Sequence, residues 1–258
     1  MKSAVNLIPM AGAGARFARD KFTDPKPLID VGGEPMIIRA TKNLPDAGRW
    51  VFICRKEHLE EYALQKTLKN TYRGCTIVAI DYLTEGQAST CLVAEQHIDK
   101  DNSLLISACD NGMLYNEDLL DELIRDSSID ALIFTFRNNV TATRNPQMYG
   151  WVKVDKHGRV EQVSVKVPIS SDPAGDHAVV GTFWFRRGKY FTDAAREMIK
   201  SNTRINNEFY VDECVNNAVA AGLNVRVFEV DKYICWGTPQ DLATYNYWRE
   251  YFKNYHIK

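Results

Sequence analysis

The chain has 258 residues, 45% hydrophobic and 25% charged, the make-up of a soluble globular protein long enough to bury a sizeable core in one large α/β domain or two small ones. Thirty-two basic against thirty-three acidic residues leave a net charge of -1, so no global field draws it to nucleic acid or anionic lipid, and phosphate binding has to be local. No apolar run nears the roughly 18 residues of a membrane span.

The small and apolar residues after Lys2 have the outline of a signal peptide. Asn6, Pro9 and the glycines interrupt it, and a buried strand over 4–8 running into a loop explains the same residues, so the chain is expected to work in the cytoplasm. The loop carries Gly12, Gly14 and Arg16. Glycines let successive amides approach phosphate oxygens, and a guanidinium adds a charged fork. Pro25-Lys26-Pro27-Leu28 then holds one lysine on a stiff, non-helical segment. A dinucleotide fingerprint would need glycine where Phe17 stands, and a P-loop would need Gly-Lys-Ser/Thr at Phe17, Ala18 and Arg19. A ligand-free turn accounts for the glycines as well; Arg16 and Lys26 favour a polyphosphate.

Further along, Pro35 suits the first position of a helix with Met36, Ile37, Ala40 and Leu44 on one side. The pattern predicts strands over 50–54 and 76–80 around a helix over 56–69, and a helix opening at Gly86-Gln87 and running toward His97. Gly86 allows close approach of a flat ligand and Gln87 can read a base edge, although a plain helix start has the same look. A strand over 103–108 ends in Cys109-Asp110-Asn111. A carboxylate beyond the carboxyl end of a parallel strand can hold Mg²⁺, which needs only one or two protein carboxylates, or it can cap a turn. A helix over 117–125 and a strand over 130–136 continue the alternation, which predicts a Rossmann-like, mostly parallel sheet flanked by helices.

The pattern then changes. Residues 149–154 and 159–165 alternate about Gly158, predicting an antiparallel hairpin, followed by Lys166 and a mobile polar loop with Pro168, Pro173 and Gly175. A strand over 180–185, helices over 189–200 and 213–221, a strand over 224–230 and a helix over 242–255 complete the chain. Asp212 reads as a helix cap; an equally plausible place near the acceptor comes to it, with the rest of segment 207–212, only through the family resemblance given below. Tyr245, Trp248 and Phe252 share a face of the last helix, which suits packing on the sheet or, as the alternative, a homodimer contact. The six cysteines show no CxxC spacing and read as reduced and buried, and the five histidines show no HExxH.

The GxGxRF loop, the PKPL segment, the strand-ending Asp110-Asn111 and Gly237-Thr238-Pro239-Gln240-Asp241-Leu242 resemble the sugar nucleotidyltransferases, or nucleotide-sugar pyrophosphorylases, of the branch that makes capsule and surface-polysaccharide precursors. The resemblance covers residues 7–242 and implies one domain over 1–258. Residues 1–136 would mainly bind nucleotide, and 137–258, with its antiparallel portion, would mainly bind the acceptor. It implies transfer from a nucleoside triphosphate, with a lean to a pyrimidine base, onto a phosphorylated small molecule with release of pyrophosphate. Arg16, Lys26 and Lys166 would act on the reacting phosphates, Gly12 and Gly14 on the triphosphate, and Gly86 and Gln87 on the base. Gly150, Gly181 and Glu208 would meet the acceptor, and Asp110 would hold Mg²⁺. One departure is Cys235, where the family places a second metal carboxylate; Asp231, Glu208 and Asp212 are candidate replacements. That change leaves open a non-sugar acceptor such as phosphocholine, and also a regulatory protein that binds nucleotide without turnover. A glycosyltransferase would want DxD, which Asp110-Asn111-Gly112 does not supply.

Overall fold

The computed structural model describes residues 3–255, so Lys2 and His256 lie outside the described residues. In chain order it runs β1 (Ser3–Met10), α1 (Ala15–Arg19), α2 (Met36–Thr41), β2 (Ala47–Arg55), α3 (Lys56–Glu60), α4 (Leu64–Thr71), β3 (Thr76–Ile80), α5 (Gln87–Val93) and β4 (Leu104–Ser107). Then come β5 (Asn111–Leu114), α6 (Glu117–Arg125), β6 (Ala131–Phe136), α7 (Val140–Arg144), β7 (Gly150–Val154) and β8 (Val160–Val165). The chain ends with β9 (His177–Phe185), α8 (Gly188–Lys200), α9 (Val211–Ala220), β10 (Val225–Glu229), β11 (Lys232–Cys235) and α10 (Pro239–Asn254).

Seven strands lie in the order β10-β6-β9-β4-β1-β2-β3, and β7 with β8 extends from β9 to make a nine-stranded sheet. Strands β1 to β4 pair in parallel, as do β6 and β10, while β9 runs antiparallel between β4 and β6. This is the mostly parallel α/β sheet that the alternation predicts, and β7 pairs with β8 antiparallel as the hairpin pattern requires. Because β9 is reversed, its first residues share an edge with the carboxyl ends of β1 and β4. That edge is where open parallel sheets collect ligands.

Successive side chains of a strand point to opposite faces. Leu104, Ile106, Phe183 and Phe185 therefore join one core cluster and Leu105 and Trp184 the other, which anchors β4 and β9 from both sides. Burying each such side chain contributes about 1.5–3 kcal/mol relative to exposure. A third cluster joins Phe17, Ile29, Val31 and Met36 to Trp236 and Leu242. It fastens the helix after the glycine loop to the start of α10.

Four features differ from the sequence expectation. The helix over 56–69 is broken between α3 and α4: at roughly 100° per residue, an unbroken helix would turn buried His58 and Leu64 to different sides, and the break re-aims them. The helix toward His97 ends at Val93, with a separate 3-10 turn at Glu95–His97. Helix α7 and the two-stranded antiparallel sheet of β5 with β11 carry too few residues to show a period. Finally, α10 does not lay its aromatic face on the sheet. Leu242 and Tyr245 pack inward, whereas Trp248 and Phe252 are 48% and 57% exposed, because the helix runs past the third cluster into solvent.

Candidate active site

Gly14 stands at the N-cap of α1 with φ of +61°, and its carbonyl accepts from the amides of Phe17 and Ala18. That left-handed conformation is where a Cβ would be strained, and it turns the chain from β1 into α1. Gly12 has open space around it. Both glycines, with Lys26, Gln87 and Asp110, line a small cavity of about 220 Å³. Lys26 sits on the 3-10 turn Lys26–Leu28, with Pro27 buried behind it, and its ammonium donates to the Asp110 carboxylate. Burial works against its charge, but the carboxylate beside it more than offsets this and holds the pKa above the usual lysine value.

A larger cavity of about 550 Å³ opens from the same Asp110 and Gln87 and extends along the start of β9 to the β7–β8 hairpin. Arg16 reaches over its mouth, with Nη2 3.7 Å from Met148 Sδ. Lys166 follows β8 with φ of +66°; its amide donates to Tyr149 O at 3.0 Å and its ammonium to Met148 O at 2.9 Å. The ammonium also lies 5.4 Å from the centre of the Tyr210 ring. Burial lowers the Lys166 pKa, with nearby Asp212 opposing that and Arg16 adding to it. Val167, the residue that separates Lys166 from Pro168, is 61% exposed, so the left-handed turn at Lys166 places the extra side chain outside the cavity.

Asp212 occupies the first turn of α9 and faces the same cavity. Burial pushes its carboxyl up to about 6, with Lys166 pulling the other way. Gly150, at the start of β7, lies directly against it: a Cβ there would collide with the Asp212 carboxylate. Gly181, in β9, lines the cavity opposite Ala108.

Two expected site residues sit elsewhere. Gly86 is packed on the backbone of Phe209, whose nitrogen a Cβ would approach to 2.5 Å; Phe209 donates to Glu85 O and Ala88 donates to Phe209 O. Only its neighbour Gln87 faces the cavities. Glu208 is exposed at the end of a two-residue turn in which Asn206 and Asn207 both take positive φ, the backbone of a tight hairpin. It lies outside both cavity walls, and its carboxylate bonds to Tyr210.

Cys235 stands opposite Asn111 in the β5–β11 pair, and the next residue's amide, Trp236 N, donates to Asp110 O at 2.9 Å. Burial first, then the Asp110 and Asp241 carboxylates, push its thiol up to about 12, so the sulfur is a neutral group 3.4 Å from Asp241 Oδ2. Asp231 is exposed, away from both cavities. Asp241, which the sequence reading passed over, does line the larger cavity, held by Thr238 Oγ1 at 2.6 Å. Arg144, Asn145 and Met148 were missed as well; Asn145-Pro146 just before Tyr149-Gly150 was the signal of a turn entering the acceptor half. Among the described residues no cluster of three or more His, Cys, Asp or Glu could hold a metal. Asp110 alone, completed by phosphate oxygens and water, fits Mg²⁺, a hard ion that a neutral thiol does not suit.

A carboxyl edge bearing open amides, two lysines and a cleft-facing carboxylate suits a protein that works on nucleotide phosphates. The family described as the MobA-like NTP transferase domain matches residues 7–165, and the chain belongs to it; it is a nucleotidyltransferase. The UTP–glucose-1-phosphate uridylyltransferase AglF of Haloferax volcanii is 23% identical over 91% of this chain and 92% of its own length. The nucleoside-diphosphate-sugar pyrophosphorylase of Vibrio cholerae RC9 has the same fold, with a TM-score of 0.73 at 20% identity over 93% of this chain and 98% of its own. So does the inositol-1-phosphate CTP transferase of T. maritima, with a TM-score of 0.72 at 15% identity over 98% of each chain. No helix among the described residues is long and apolar enough to cross a membrane.

Proposed function

We propose that the protein joins a nucleoside triphosphate to a small molecule bearing a phosphate, a sugar 1-phosphate or a close analogue, and releases pyrophosphate. The observation that carries this is the continuity of the two cavities through Asp110 and Gln87, with Lys26 at one end and Lys166 at the other. The triphosphate lies along the loop amides at Gly12 and Gly14 with Arg16 and Lys26 on its oxygens, and its base lies near Gln87. Lys166 takes the acceptor phosphate, and Gly150 and Gly181 leave room for the rest of the acceptor. Residues 1–136 thus serve mainly the nucleotide and 137–258 mainly the acceptor.

The acceptor phosphate oxygen attacks the α-phosphorus and pyrophosphate leaves. The nucleophile is already an anion near neutral pH, so no strong base is needed. The barrier is the meeting of two anions, which is lowered by positioning and by fixed positive charge. Lys26 supplies that charge at the triphosphate and Lys166 at the attacking phosphate. Asp110 would hold Mg²⁺, which when bound neutralises phosphate charge and orients the α-phosphate. The Lys26–Asp110 pair holds both half-buried groups at one place before ligand arrives. Relatives named for UTP and CTP support a pyrimidine nucleotide. We assign the product to surface-polysaccharide precursors, made in the cytoplasm where nucleoside triphosphates are available.

The test is pyrophosphate release with each of the four nucleoside triphosphates against glucose 1-phosphate, myo-inositol 1-phosphate and phosphocholine, with and without Mg²⁺. Turnover with at least one pair is expected. Tight binding of triphosphate with no turnover for any pair would instead make the protein a nucleotide sensor.

A further inference from the structure

Two segments with separate tasks in the mechanism are fastened to each other. The turn that opens α5 carries Gln87, which faces both cavities, and the segment leading into α9 carries Tyr210, whose ring receives the Lys166 ammonium. They meet at Phe209. Its amide donates to Glu85 O at 2.7 Å, and Ala88 N donates to Phe209 O at 2.9 Å. Gly86 lies between those bonds without clearance, since a Cβ there would come within 2.5 Å of Phe209 N and 2.6 Å of Phe209 O. A shift of the turn at Gly86 therefore moves Phe209, the neighbour of Tyr210.

The chain just before Phe209 has little regular structure to hold it. Residues 201–208 form no helix or strand beyond an isolated bridge of Ile205 with Glu208, and Asn202, Asn206 and Asn207 all take positive φ. Segments of this kind belong to the low-stability end of a fold unless a specific group ties them down. Arg204 is that group. Its guanidinium lies 4.1 Å from the centre of the buried Phe209 ring, and it donates to Asn202 Oδ1 at 2.6 Å, to Asn207 O at 3.3 Å and to Glu85 Oε1 at 2.9 Å. An exposed ion pair alone contributes little; here one planar fork stacks on the ring, closes the turn and reaches Glu85 together, a set of contacts that lysine could not reproduce.

We infer, on the transferase reading above, that Arg204 is a positioning residue that couples the two halves of the site: it locks the segment of Phe209 and Tyr210 to the turn of Gln87, so that bound nucleotide strengthens the grip on the acceptor. Arg204 lines neither cavity, and each of its three side-chain nitrogens donates within the protein. Nucleotide at Gln87 steadies the turn at Gly86; through Glu85 and Arg204 this steadies Phe209, and Tyr210 stays beside Lys166. Ordering that the acceptor would otherwise bring about is complete before it binds, which is positive coupling between two ligands.

The experiment is calorimetric titration of acceptor into wild type and Arg204→Met, each free and saturated with the α,β-methylene analogue of UTP or CTP, which cannot release pyrophosphate. The acceptor is whichever of glucose 1-phosphate, myo-inositol 1-phosphate and phosphocholine wild type turns over best. In wild type, bound nucleotide should tighten the acceptor Kd about 5- to 150-fold. Arg204→Met should cut that factor about fivefold or more and leave the nucleotide Kd of the free protein unchanged. Acceptor binding weakened equally with and without nucleotide would mean a merely structural role or a direct contact, and would overturn the inference. A wild type whose acceptor Kd ignores nucleotide would overturn it too. If Arg204→Met fails to fold, Glu85→Lys, which repels the guanidinium, should lower the same factor; an unchanged factor there counts against the inference. Absence of turnover by wild type with every pair would reject the transferase reading itself, and the inference with it, so the two failures are distinct.

Discussion

Two lysines face one cleft, and they have been prepared in opposite ways. Lys26 is ion-paired to Asp110, and its charge is reinforced. Lys166 has a carbonyl and an aromatic face for company, and its pKa is lowered by burial; the carboxylate nearest it, Asp212, has no direct bond to it. At the first site protein charge is balanced before ligand arrives, so Lys26 is held protonated and in place, and a triphosphate has to draw it from Asp110. At the second the balance is left open, which suits a pocket whose affinity depends on what the acceptor brings. The comparison teaches that charge count alone does not define a phosphate site; what matters is which charges are already spent on the protein.

If that contrast is right, Lys26→Met should cost most. Removing a fixed charge from the reacting centre should lower turnover about 100- to 1,000-fold in a pyrophosphate-release assay, with both substrates' KM values far less affected. A loss confined to the acceptor KM would break the comparison. Lys166→Met should act on the other side, raising the acceptor KM about 10- to 100-fold with the triphosphate KM unchanged; equal effects on the two would mean that the sites are not separate.

Gly150→Ala comes next. A Cβ meeting Asp212 has to displace it, and crowding of this kind costs about 1–2 kcal/mol, measurable by chemical denaturation. No destabilisation would show that Asp212 has room to move. The smallest effect concerns Asp212→Asn. Asp212 has a folded pKa of about 6 against a usual 3.8, so its contribution to stability is present below pH 4 and is lost as pH rises through about 6. Asp212→Asn should therefore be more stable than wild type at pH 8 by about 1 kcal/mol, under a ceiling of roughly 3 set by the shift. That gain should shrink toward pH 4.5. An identical difference at both pH values would remove buried charge as its cause.

Much of this molecule was legible beforehand where the signal was local. The strand over 76–80 and the helix over 117–125 have the bounds the pattern predicts, because periodicity and caps act within a few residues. The glycine loop and the proline-flanked Lys26 were legible for the same reason. Strands β5 and β11 were not, since four residues carry no period and each is defined by the other across more than a hundred positions. Gly86 showed a glycine of consequence, but the backbone it accommodates belongs to Phe209.

By itself, then, the sequence determined the alternation of strands and helices, the phosphate loop and the identities of the two lysines, all of which rest on short-range sterics and hydrophobic period. Only the tertiary structure decided that Lys26 is spent on Asp110, that Glu208 faces solvent, and that Asp212 lies against Gly150. Desolvation and pairing are properties of the whole folded volume. A carboxylate's meaning is set by neighbours that chain order does not announce.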